Sequence, residues 1–67
     1  MNKDFAKIST DVFHYMNMLG YKDFEIKSAI EFFNLHHTLD VYCYELPLII
    51  GKLVQIIERG YCYYETY

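Results

Sequence analysis

Two cassettes in this chain repeat a Tyr-Cys-Tyr pattern: Tyr42-Cys43-Tyr44-Glu45 and Tyr61-Cys62-Tyr63-Tyr64-Glu65. Together they hold both cysteines and five of the eight tyrosines. Thiols with a nearby imidazole can bind a soft metal or form a nucleophile, and His36 and His37 stand just upstream. The spacing argues against both uses. The cysteines are far apart in sequence and the histidines are adjacent, so neither pair has the short separation of a zinc finger. Tyrosine neighbours do not lower a thiol pKa as cations do, and apolar burial raises it. No glycine-rich phosphate loop or nucleophile elbow is present. We therefore expect no catalytic residue, no metal and no cofactor, and two inert thiols that point inward.

The tyrosines of the same cassettes carry more. In an extended chain, alternate side chains leave opposite faces. Tyr42, Tyr44, Tyr61 and Tyr63 would then face one way and Cys43 and Cys62 the other. Tyrosine joins a large ring to a hydroxyl at low rotamer cost and is enriched among interface anchors. The candidate partner-binding residues are Tyr42, Tyr44, Tyr61 and Tyr63, with Tyr64 and Tyr67 at the rim. The competing reading makes these rings half of the core.

Five helical or extended segments make up the chain that must position them. Phe5, Ile8, Val12, Met16 and Leu19 recur at spacings of three and four, which predicts a helix from Lys3 to Leu19 stopped by Gly20. A second helix is predicted from Asp23, as its cap, to Leu35, with Ile26, Ala29, Ile30 and Phe33 inward. Thr38–Glu45 reads as a strand through Val41, Tyr42, Cys43 and Tyr44, although a helical stripe through Leu35, Leu39, Tyr42, Cys43 and Leu46 can also be drawn. Pro47 opens a third helix that runs to Arg59, before Gly60. Its polar positions, Lys52, Gln55, Glu58 and Arg59, form a narrow stripe. The apolar arc around them is wide enough for a central helix or one that meets another chain. Tyr61–Tyr67 reads as a second strand.

The expected fold is thus a small α+β domain, mainly helical, with two short strands flanking an apolar helix. An all-α bundle is the main alternative. The run from Leu46 to Glu65 is similar in cadence to the last helix and wing of winged-helix domains, where an apolar-striped helix ends at Arg-Gly and enters a strand. That resemblance implies DNA binding through Lys52 and Arg59. It departs from the family in offering so few outward basic residues.

Size and charge narrow the function further. A chain of 67 residues makes a single domain, spanning 1–67, that buries only roughly 60% of its unfolded surface. With 54% apolar residues it is too hydrophobic to be disordered, and some large side chains must stay outside. Net charge is −3 and no two basic residues are adjacent, which disfavours nucleic acid as a partner. The longest apolar stretch, Leu46–Ile50, is far short of the ~20 residues that span a bilayer. No leader segment is visible. The expectation is a non-enzymatic cytoplasmic protein-binding module, an inhibitor or adaptor that occludes a partner's surface. This profile is common among proteins encoded by phages and mobile elements. The other two readings are a winged-helix-like transcription regulator and a structural homo-oligomer (a homodimer at its simplest) joined through Leu48–Ile57.

Overall fold

A computed structural model describes residues 4–60. Three α-helices and one short 3-10 turn follow in order: α1 Phe5–Met18, α2 Asp23–His36, the turn Val41–Cys43, and α3 Leu46–Glu58. Among the described residues there is no strand. The α+β expectation is overturned, and the all-helical alternative describes the chain.

Each helix begins and ends for a local reason. The Asp4 side chain accepts from the Lys7 amide at 3.1 Å and so caps α1. At its other end Gly20 has φ +103°. Its amide donates to the Asn17 carbonyl and the Tyr21 amide to that of Met16, both at 3.0 Å, the paired bonds of a Schellman stop. Asn17 Nδ2 then braces the turn, donating to the Tyr21 carbonyl and to Asp23 Oδ1. That contact corrects the expected cap of α2. Lys22 is the cap position, and the Glu25 carboxylate reaches back to accept from its amide at 2.8 Å. Asp23 is the first helical residue, where its charge suits the helix dipole.

The predicted strand over Thr38–Glu45 is instead a side-chain-capped turn. Asp40 Oδ1 accepts from the Tyr42 amide at 2.8 Å, and the Asp40 carbonyl accepts from the Cys43 amide at 2.9 Å. The Val41 amide donates to Asn34 Oδ1 at 2.9 Å, and Asn34 Nδ2 donates to Asp40 Oδ2 at 3.2 Å. Side-chain acceptors thus take the backbone donors that a sheet ladder would have used. This removes the period-two parity on which the tyrosine face rested. The second predicted strand, Tyr61–Tyr67, lies outside the described residues, as does the wing of the winged-helix alternative.

One core unites these elements: Val12 and Met16 from α1, Ile26, Ala29 and Phe33 from α2, Val41 from the turn, and Ile49, Leu53 and Ile56 from α3. Phe5 and Leu19, expected on the inward stripe of α1, sit at its ends and are exposed. Helix α3 packs against α1, α2 and the turn, so it is the central helix. Ile49, Leu53 and Ile56 are consequently spent within the domain, Ile50, Val54 and Ile57 are half-buried, and Leu48 is left 54% exposed. No helix among the described residues is long and apolar enough to cross a membrane.

Candidate functional site

The turn sends Tyr42 and Tyr44 to different neighbours. The Tyr42 hydroxyl meets Ser9 Oγ at 3.2 Å, and its ring lies 6.2 Å from that of Phe5. The ring of Tyr44 meets the edge of Phe33, centroids 5.6 Å apart at 88°. Both tyrosines are half-buried, while Cys43 is exposed. The inward thiol expected at Cys43 is therefore overturned: in a turn of about three residues Val41, not Cys43, takes the inward place. Tyr61, Tyr63, Tyr64, Tyr67 and Cys62 lie outside the described residues. No group of three or more His, Cys, Asp or Glu side chains gathers in a metal-holding arrangement among the described residues.

The site that the structure assembles lies beside Tyr44, in a cleft between the C-terminal end of α2 and the outer face of α3. Its volume is about 180 Å³, and its walls include Phe32, Phe33, His37, Lys52, Gln55 and Arg59, with Ile56 between them. The α2 wall is built by Phe32 and Phe33 with His37, the residue just past the helix end; His36 pairs with Phe32 beside it. His37 stacks on Phe33 at 3.8 Å and 6°, and Phe32 meets His36 at 4.4 Å. His37 Nδ1 lies 3.0 Å from the Phe33 carbonyl. A carbonyl oxygen only accepts, so this contact assigns the proton to Nδ1 and leaves Nε2 available.

The α3 wall is cationic. Lys52 Nζ sits 5.0 Å from the Tyr44 ring centroid and 5.8 Å from that of Phe33, over the faces that attract a cation. Among the described residues the one ion pair is Lys7 with Asp11, so neither Lys52 nor Arg59 meets a carboxylate there. A second hollow of about 260 Å³ adjoins, lined by Pro47, Leu48 and Gly51 and by the same Lys52 and Gln55. Leu48, Lys52, Gln55 and Arg59 are spaced four, three and four apart, so they share one face of α3.

Part of this was visible in the sequence, since Lys52, Gln55 and Arg59 stand out as the polar stripe of α3. His37, exposed and just beyond α2, was not among the residues expected to bind a partner. The signal that would have placed it is the Phe-Phe-Asn-Leu-His-His run, whose four-residue spacing brings each imidazole against a phenyl ring. No family model, curated protein or solved structure matches this chain.

Proposed function

We propose that this chain is a non-enzymatic protein-binding module and that the outer face of α3 is its contact surface. The observation that carries the reading is the pair of adjoining hollows along Leu48, Lys52, Gln55 and Arg59, one walled by Pro47 and Leu48 and the other reaching Arg59, meeting at Lys52 and Gln55. Each hollow is below the roughly 300–1,000 Å³ of small-molecule sites and suits single side chains from a partner. Leu48 supplies an exposed apolar contact beside charged groups, the mix found across protein interfaces. Tyr44, under Lys52, takes part from below, while Tyr42 is turned toward α1.

Affinity capture from the native cell tests this directly, using the wild-type chain beside Leu48→Asp. The variant should keep its helical circular dichroism and melting temperature, because residue 48 is exposed, and should lose the proteins that the wild type enriches. Equal enrichment by both chains would remove the α3 face from consideration.

A further inference from the structure

We infer that the cleft between α2 and α3 receives a carboxylate side chain, so that the segment docking on α3 is acidic with an aliphatic neighbour about one turn away. This rests on the reading of the α3 face as an interface. Lys52 is half-buried, and its ammonium carries three donors. None of them finds a hydrogen bond among the described residues; the ammonium lies over the Phe33 and Tyr44 rings. A partly desolvated cation in that position gains most from a charged acceptor, because charge-assisted bonds are roughly twice as strong as neutral ones. Arg59 adds a planar fork of donors on the same wall, and no carboxylate lines the cleft. Next along α3, the second hollow offers Pro47 and Leu48 as aliphatic contacts and shares Lys52 and Gln55 with the first. An acid in one and an aliphatic side chain in the other is the pairing that this surface matches.

A nucleic acid fits less well. Single strands bind by stacking bases on open aromatic faces along a basic groove. Here the Phe33 ring is already covered by the His37 ring and approached by Lys52, and the Phe32 ring meets that of His36. The whole chain is also acidic, at −3.

Titration of the isotope-labelled full chain, followed by NMR, decides the matter. The probes are a short peptide alternating glutamate pairs with leucines, the same peptide with glutamine for glutamate, and a short single-stranded oligothymidylate. The glutamate peptide should shift the resonances of His37, Lys52, Gln55 and Arg59. The glutamine peptide should bind about ten-fold more weakly or worse, the loss expected when a charged hydrogen bond goes. The double variant Lys52→Gln, Arg59→Gln, checked for an unchanged melting temperature, should lose the preference for glutamate. Equal binding of the two peptides, tighter binding of the oligothymidylate in the same cleft, or a still cleft at millimolar glutamate peptide each overturns the proposal. If a Leu48-dependent protein is captured while the glutamate peptide leaves the cleft unmoved, the carboxylate inference fails and the interface stands.

Discussion

The Tyr21 hydroxyl donates to Glu58 Oε2 over 2.7 Å, joining the turn after α1 to the last turn of α3 across 37 residues of sequence. Near the other end, Tyr42 reaches Ser9, so the entry to α3 lies beside the first half of α1. These two long-range contacts make α1 and α3 run in the same general direction, with α2 leading back from the end of the one toward the start of the other.

Tyr21→Phe removes the first contact without removing the ring. The bond lies at the surface, so its loss should cost no more than about 1 kcal/mol at neutral pH. The pH dependence is the sharper test. The hydrogen bond to Glu58 raises the Tyr21 pKa above its ordinary 10.0, with burial and the charges of Glu58 and Glu25 adding to the rise. The protonated phenol is the form that donates. Its stabilisation is therefore complete below the unfolded pKa of 10.0 and is lost as pH climbs through the higher folded value. Urea midpoints of wild type and Tyr21→Phe should differ at pH 7 and converge in strongly alkaline buffer; a gap that widened with pH would contradict the assignment.

Asn34 is the residue that holds the 3-10 turn in place. Its Oδ1 serves the amide of Val41, a residue with no exposed surface. Leaving a buried amide without a partner costs about 1–3 kcal/mol. Asn34→Ala should lower stability by an amount in that range and speed hydrogen exchange at Val41 above all other sites in the turn. Unchanged protection at Val41 would show that the turn is held by its packing instead.

Those two bonds also explain what was legible in the sequence. The three helices were read to within one or two residues of their ends, because Val12, Met16, Ile26, Phe33, Ile49 and Leu53 keep a 3.6-residue period and glycines stop two of the helices. Val41-Tyr42-Cys43-Tyr44 was misread because its β preference is real but weak, and Asp40 and Asn34 override it. Asn34 acts from seven residues upstream, beyond the reach of a strand pattern. Phe5 and Leu19 fit the period of α1 but lie where the helix has run out of neighbours. The cationic wall of the cleft could be read from α3 alone, whereas its aromatic wall needed the crossing of α2.

Gly51 sits inside α3 with helical backbone, and a Cβ added there meets nothing within 4 Å. Glycine inside a helix costs roughly 0.5–1 kcal/mol relative to alanine. Gly51→Ala should therefore raise the melting temperature by several degrees in a domain this small. The added methyl also enters the hollow beside Leu48, so the same variant should capture the partner less well than wild type. A stabilised variant with undiminished capture would place the contact elsewhere.

Phe33 links stability to the cleft, and two substitutions separate its roles. The ring is 2% exposed and touches His37, Tyr44 and Lys52. Phe33→Ala should cost about 3–5 kcal/mol, as large-to-small changes in a core do. A chain of this length has about 3–10 kcal/mol in all, so that variant should lose a large share of its stability and melt at a much lower temperature. Phe33→Leu keeps most of the volume and should cost about 1–2 kcal/mol, leaving a folded domain. It nevertheless removes the flat ring on which His37 stacks and one of the two rings beneath Lys52. In the folded leucine variant the ring protons of His37 should lose the upfield shifts imposed by stacking, and Lys52 Nζ should keep only the Tyr44 contact. The glutamate peptide should then bind more weakly although no charge has changed. Unaltered His37 shifts in a folded Phe33→Leu protein would show that the imidazole does not stack on the Phe33 ring in solution.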